Sequence, residues 1–498
     1  MSTLLPEAAT IVGASPACSG LLAAGTGLLI GGTWGPASGG DRFEVVDPAT
    51  ASVLATVADA TVADGLAAAD AAAESLPGWA ATAPRERAEV LRRAFELMTA
   101  RQEAFAELIV RENGKALTDA RAEVRYAAEF FRWFAEEAVR IDGSVSRAPA
   151  GDKRILVDHQ PIGVSLLVTP WNFPAAMATR KIAPALAAGC TTVLKPAEDT
   201  PLTALALGAL MAEAGAPPGV VNVVTARRPA PVVDALLHHP AVRKLSFTGS
   251  TAVGRLLLRA AADRVVSCSM ELGGNAPFVV LADADVDAAV AAAMVAKMRN
   301  GGEACTAANR FYVERPVAAD FADRLRAAMA ALQVGPGMDD GVELGPLINP
   351  AQRDRVARLV EEAVDSGATV LTGGDRPAGP GFFYNPTVLG DVPAGASVLG
   401  EEVFGPVAPV VAFDDEDEVV AAANDTEYGL ISYVHGGDLG RALHLADRLD
   451  AGMVAVNRGV VSDPAAPFGG VKQSGLGREG AHHGLLEFLE VKYVAVDW

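Results

Sequence analysis

Cysteine is scarce in this chain: Cys18, Cys190, Cys268 and Cys305 are the only four in 498 residues, and they lie far apart. Such spacing makes neither a disulfide framework nor a CxxC metal site, and it fits a reducing cytoplasm. Aromatic residues amount to 6%, which argues against a β-sandwich and for a helix-rich α/β core. Positive charge is short as well. Lys and Arg number 41 against 61 Asp and Glu, a formal net charge of -20. A surface of that sign repels nucleic acid and anionic membranes, so no partner of either kind is expected. Any anionic substrate then needs a local basic pocket working against the global field. From Ala8 to Gly40 charge of either sign is missing. No basic region precedes this run, so it is not a signal peptide, and Pro16 and several glycines make it a poor membrane helix. It reads as a disordered or loosely packed leader ahead of the fold.

What is present is apolar bulk. Half the residues are hydrophobic, and 498 residues exceed what one core accommodates, so two or three domains are expected. LLIGGTWGP and FEVVDPATASVLATV alternate like short strands. Apolar residues at helical spacing follow from Val62 to Ile141. From Val164 the rhythm changes to short apolar runs (VSLLVT, TTVLK, VVNVVT, VRKLSF) separated by helical patterns. That alternation predicts parallel strands with right-handed crossovers, a doubly wound sheet. Ligands bind such sheets beyond the carboxyl ends of the strands, where TPWNFP, KPAEDTP and FTGSTAVG fall. A second α/β series runs from about Ala276 to Val461. RILVDHQPIGV and LLEFLEVKYVAV are strand-like and able to leave the main body.

Cys190 and Cys268 sit in apolar strand or helix context and read as small buried hydrophobes. Cys305, in RNGGEACTAANRF between Arg299 and Arg310, lies in a loop of small and polar residues, a setting that suits a nucleophile as well as a structural thiol. No histidine shows a partner pattern for it. Glu271, in SMELGGNAP, closes an apolar strand before two glycines and is the candidate base, although an isolated strand-end glutamate is commonly just solvated. FTGSTAVG lacks full GxGxxG spacing and is either a plain turn or a helix start able to hold phosphate.

PWNFP, KPAE, FTGSTAVG, ELGGNAP, the GGEAC loop, EEVFGPV and PFGGVKQSGLGREG stand in the order and spacing of the aldehyde dehydrogenase superfamily, which the chain resembles from about Leu28 to Val496. Within it, PWNFPAAMATRKIAPALAAGCTTVLKPAEDTP and APFGGVKQSGLGREG resemble the succinate-semialdehyde dehydrogenase branch. The resemblance implies an aldehyde-dehydrogenase-like α/β fold: two doubly wound α/β domains with a small β oligomerisation extension. A dinucleotide-binding domain would take 1–145 and 163–271, a catalytic domain 272–483, and the extension 146–162 and 484–498, giving a homodimer or homotetramer.

It further implies that Cys305 attacks the aldehyde carbonyl, that the Asn172 amide and the Cys305 backbone N–H stabilise the oxyanion, and that Glu271 activates the water that hydrolyses the thioester. Lys195 and Glu198 would hold the adenosine ribose, Gly249 and Ser250 the pyrophosphate, and Glu402 the nicotinamide ribose with Phe404 beside it. Pro170, Trp171 and Leu272 would line the nicotinamide end. No metal is implied. Glu198 accepts two ribose hydroxyls but repels a 2′-phosphate, which favours NAD over NADP; nearby Arg228 softens that preference. Arg180, Arg299 and Ser462 match positions that clamp a substrate's distal carboxylate, a task suited to arginine's planar, permanently charged fork. The expected reaction is oxidation of succinate semialdehyde to succinate. Glutarate semialdehyde or another small aldehyde is the alternative, and a non-catalytic protein on the same scaffold is the reading furthest from it. Glu271, as a hydrolytic base, disfavours a CoA-acylating enzyme.

Two departures stand out. Glu303 replaces a glutamine usual in relatives, and would raise the Cys305 pKa if it points inward. Arg458 replaces a small residue beside the expected substrate mouth.

Overall fold

The computed structural model describes residues 11–497. Two large sheets organise them. The first holds eight strands with a central parallel set, Val164–Val168, Thr191–Lys195, Val221–Val223, Val242–Thr248 and Ser267–Glu271. Leu28–Ile30 and Thr33–Gly35 extend one edge antiparallel, and Gly475–Leu476 adds antiparallel to the other. The second sheet has seven strands, parallel except at the edge, where Thr369–Thr372 pairs antiparallel. The fold is thus α/β with mixed sheets. The C-terminal segment reaches back into the first sheet through Gly475–Leu476, ahead of residue 483, where the second domain was expected to end.

Val164–Val168 and Thr191–Lys195 are buried at every residue, as short runs rich in Val and Leu require. Four helices replace the long helical region: Val62–Ala81, Pro84–Ala100, Gln102–Asn113 and Leu117–Glu137. The breaks have local causes. Pro84 starts one helix and left-handed Gly114 ends another. Leu117–Glu137 buries Val124, Phe130, Phe131 and Phe134.

The loose leader is corrected from Ile11 onward; residues 1–10 lie outside the described residues. Cys18 and Leu22 are buried in the same core as Phe105 and Ile109, and Ser15 hydrogen-bonds Glu107. Ile11, Leu21, Leu22, Leu28 and Leu29 of the uncharged stretch are buried, which is why apolar residues stand there. Ser144–Arg147, Arg154–Pro161 and Leu489–Val496 form a separate three-stranded antiparallel sheet. Its last strand begins only at Leu489, because Ala481–Leu486 is a helix. Val145, Val491 and Tyr493 are exposed on it.

Between the sheets, carboxyl ends face amino ends. Val168, Thr248 and Glu271 close strands of the first sheet, while Ala276, Ala308 and Val407 open strands of the second. The loops between them line one cavity.

Candidate active site

That cavity has a volume of ≈ 240 Å³. Of the residues singled out above, Pro170, Trp171, Asn172, Arg180, Gly249, Ser250, Leu272, Arg299, Cys305, Glu402, Phe404 and Ser462 line it together. Glu271, Lys195 and Glu198 do not.

Cys305 owes its place to a broken helix. Val286–Met298 starts at Asp285, whose side chain caps Ala288 N–H, and stops at Arg299. Asn300 (φ 57) and Gly301 (φ 62) are left-handed and reverse the chain; asparagine and glycine are the residues that tolerate this. Strand Ala308–Glu314 follows at once, so the thiol sits at the strand's entry. Burial pushes that thiol up to about 12, with Glu402 and Glu271 adding to the rise and Arg180 and Arg299 opposing it. The thiol is therefore held protonated at neutral pH.

Asn172 follows strand Val164–Val168. Its Nδ2 donates to Glu303 O at 3.0 Å and its Oδ1 accepts from Phe173 N at 3.1 Å. One amide hydrogen is thereby anchored and the plane fixed, which leaves the second N–H for the cavity. Glu271 sits behind the wall, 2% exposed, with neither carboxylate oxygen hydrogen-bonded. Gly469 makes room for it: a Cβ there would stand 2.8 Å from Glu271 Oε1. Burial, then the neighbouring Glu479, hold the Glu271 carboxyl well above its usual range, against Arg180, Lys181 and Arg478. A carboxyl raised this way holds its proton to higher pH than an exposed one, the kind of tuning that general-base chemistry uses.

The two arginines differ. Arg180 is buried, stacked 4.3 Å over the Phe468 ring, and ion-paired through Nε with Glu479. Glu479 also takes Lys181 Nζ at 2.5 Å. Arg299 is half-buried beside the Phe173 ring, 5.2 Å away, and makes no ion pair among the described residues. Arg299 is thus the open cation of the cavity, and Arg180 a cation already shared. Tyr126 lies between the influence of both, since burial raises its hydroxyl pKa while Arg180 and Arg299 lower it.

Toward the other end, Trp171 and Phe404 meet edge to face at 5.3 Å. Phe404 is left-handed (φ 54), a strained state for a non-glycine residue. Gln352 Nε2 holds it by donating to Phe404 O at 2.6 Å. Glu402 Oε1 accepts Gly274 N–H at 3.0 Å, and burial pushes its carboxyl up to about 7. Ser250 caps helix Thr251–Ala262 by accepting Val253 N–H. Lys195 is buried at its strand end, 3.4 Å from Glu198. A helix amino terminus, a buried ammonium and carboxylates at both ends fit the pyrophosphate and the two riboses of a nicotinamide dinucleotide.

Sequence reasoning missed Tyr126, Phe173, Met177, Gln352, Arg355 and Phe468, all cavity-lining. Phe173, Met177 and Phe468 lie inside quoted motif stretches without having been singled out, whereas Tyr126, Gln352 and Arg355 carry no local motif and only the fold brings them in. Glu303 does not turn inward as the thiol's neighbour: its Oε1 accepts Ile348 N–H at 3.2 Å and it does not line the cavity. Arg458 is exposed and lines no part of the cavity.

A family model described as the aldehyde dehydrogenase family matches residues 34–494. The chain belongs to that family. As a member, it is an NAD(P)-dependent enzyme that oxidises an aldehyde. Among its relatives is a succinate-semialdehyde dehydrogenase of Paenarthrobacter nicotinovorans, 54% identical over 444 residues, covering 89% of this chain and 99% of the relative. A glutarate-semialdehyde dehydrogenase of Pseudomonas aeruginosa is 48% identical over 467 residues, covering 94% of this chain and 96% of the relative. A solved structure named as an E. coli NADP dependent enzyme superposes with a TM-score of 0.94 at 47% identity, covering 95% of this chain and 98% of that one. The dinucleotide class of this aldehyde dehydrogenase is thereby NAD(P), with no preference fixed. Among the described residues there is no cluster of metal-ligating side chains, and no helix long and apolar enough to cross a membrane.

Proposed function

We propose that this aldehyde dehydrogenase oxidises a short aldehyde carrying a distal carboxylate, with succinate semialdehyde as the substrate. The observation that carries this is Arg299, a guanidinium that makes no ion pair among the described residues and has the half-buried Asp119 carboxyl acting on it from nearby, in the same cavity as Cys305 and Ser462. A partly buried cation left unpaired is costly, and an anionic substrate relieves that cost. Glutarate semialdehyde is the second reading, favoured by the Pseudomonas aeruginosa relative.

In this reading the Cys305 thiol gives up its proton to solvent water as Sγ adds to the carbonyl carbon, and the oxygen takes the negative charge. The Asn172 side-chain N–H and the Cys305 backbone N–H donate to that oxygen. A bound nicotinamide supplies the hydride acceptor. Glu271 takes a proton from the water that cleaves the acyl–sulfur bond, releasing the dicarboxylate and the Cys305 thiol. Glu271 must reach the cavity from its retreat beside Gly469, and its lack of hydrogen-bond partners leaves nothing to break on the way.

Lys195 and Glu198 hold the adenosine ribose, Gly249 and Ser250 the pyrophosphate, and Glu402 the nicotinamide ribose. Glu198, half-exposed beside Lys195, supports NAD over NADP because its charge opposes a 2′-phosphate. Residues 1–145 and 163–271 are proposed as the dinucleotide domain and 272–483 as the catalytic one. Residues 146–162 and 484–498 are proposed as the oligomerisation extension, and the exposed Val145, Val491 and Tyr493 on the edge strands of the separate three-stranded sheet support assembly into a dimer or tetramer. Four widely spaced cysteines, which make no disulfide framework, fit a reducing cytoplasm.

The test is steady-state oxidation of succinate semialdehyde, glutarate semialdehyde and butanal with each dinucleotide. The four-carbon acid with NAD is expected to give the highest kcat/KM. A neutral aldehyde matching it defeats the substrate reading, and NADP outperforming NAD defeats the cofactor preference.

A further inference from the structure

The segment ENGKALTDARAEV, Glu112 to Val124, buries the charged side chains of Glu112, Lys115 and Glu123, none of which has been given a role above. Lys115 and Glu123 are 4% and 2% exposed. Lys115 Nζ donates to Glu123 Oε2 at 2.5 Å and to the backbone oxygen of Asn172 at 2.7 Å. Glu123 Oε1 accepts the N–H groups of Ala175 at 2.9 Å and Ala176 at 3.3 Å.

These bonds answer a local need. Helix Pro174–Ala188 has Phe173 at its N-cap, a side chain that caps nothing. Its first N–H groups would be orphaned in the protein interior. Glu123, from another helix, satisfies two of them. A bare carboxylate there would oppose negative charge forming beside Asn172, and the Lys115 ammonium offsets it. The same helix face, at i−4, carries Asp119, whose Oδ2 accepts Asn300 N–H at 2.8 Å. Asn300 Nδ2 in turn donates to Asn172 O and to Glu303 O, 2.9 Å each, joining the Asn172 turn to the Cys305 loop.

We infer that Lys115 and Glu123 are positioning residues for the oxyanion donor: the pair fixes the Asn172 peptide and the start of its helix, and through them the direction of the Asn172 amide. This rests on the reading of Asn172 as that donor. The effect is on rate rather than on binding, because neither residue lines the cavity.

The experiment is a double-mutant cycle of Lys115→Met and Asn172→Ala, read as kcat, KM, dinucleotide affinity, melting temperature and the rate of Cys305 alkylation by iodoacetamide. Alkylation needs the thiol but no oxyanion donor. Lys115→Met alone is expected to lower kcat about 10- to 100-fold, as a displacement of roughly 1 Å does, with KM, dinucleotide affinity and alkylation within about twofold. In the Asn172→Ala background the same change is expected to cost under about twofold, because its target is gone. Full multiplication of the two losses, or a parallel fall in alkylation and affinity, overturns the inference. If Asn172→Ala leaves kcat intact, the oxyanion reading fails, and the inference with it. If Asn172→Ala is slow and Lys115→Met is not, only the inference fails. Should Lys115→Met not fold, the near-isosteric Glu123→Gln takes its place in the cycle with the same expected pattern.

Discussion

The different bonding of the two arginines makes them separable by mutation. Arg299→Gln keeps size and polarity and removes the one cavity cation without an ion pair. A hydrogen bond to a charged group contributes roughly 1.5–3 kcal/mol. At 1.36 kcal/mol per decade that is about 10- to 100-fold in kcat/KM for a carboxylate-bearing aldehyde. For butanal, which offers no carboxylate, the same change is expected to cost under about twofold. Arg180→Gln behaves otherwise. Glu479 keeps Lys181 at 2.5 Å, so the fold survives, but Arg180 is also the leading charge that lowers the Cys305 pKa and one that lowers the Glu271 pKa. Without it both rise further. A base works only when deprotonated, so the acid limb of kcat moves to higher pH for both aldehydes. The assay is formation of reduced nicotinamide with succinate semialdehyde and with butanal across pH. Equal losses for both aldehydes in Arg299→Gln refute the idea that Arg299 is the open cation. An unmoved pH profile in Arg180→Gln refutes the shared one.

Three further outcomes are expected. Glu271→Gln is expected to give one burst of reduced nicotinamide per active site and then almost no turnover, because thiol addition does not need the base; a burst lost in proportion to turnover contradicts that role. Since burial pushes the Cys305 thiol up to about 12, iodoacetamide alkylation of the free enzyme is expected to accelerate about tenfold per pH unit from neutrality and still climb at pH ~9.5; a plateau near pH ~8 means the thiol is not so raised. Glu198→Ser removes the charge facing a 2′-phosphate and is expected to raise the NADP-to-NAD ratio of kcat/KM by about tenfold or more, whereas an unchanged ratio places discrimination elsewhere.

The legible parts of this protein are those where local pattern and function coincide. The short apolar runs from Val164 on became buried parallel strands because no other arrangement hides both faces of such a run. Motifs at loop positions were legible because PWNFP and FTGSTAVG each bring several cavity-lining residues within a few positions of each other. What escaped was assembled across the chain. Glu479 lies 299 residues from Arg180, yet it decides that Arg180 is a shared cation and Arg299 an open one. Tyr126 projects from a helix whose pattern reads as ordinary amphipathic packing. The direction of Glu303 stayed open because composition gives a charge but not the backbone N–H of Ile348 that claims it. The leader was misjudged because absence of charge describes a buried segment as well as a loose one.

The central claim is that Cys305 and Arg299 hold the two ends of one substrate. It is tested most directly by a competition on the Glu271→Gln enzyme. Equal concentrations of succinate semialdehyde and butanal are supplied with dinucleotide, and the Cys305 peptide is weighed by mass spectrometry. The account predicts a succinyl group on Cys305 in at least about tenfold excess over butyryl, as the loss of one charged hydrogen bond implies. Equal yields, an acyl group on another residue, or no acyl-cysteine at all would contradict it.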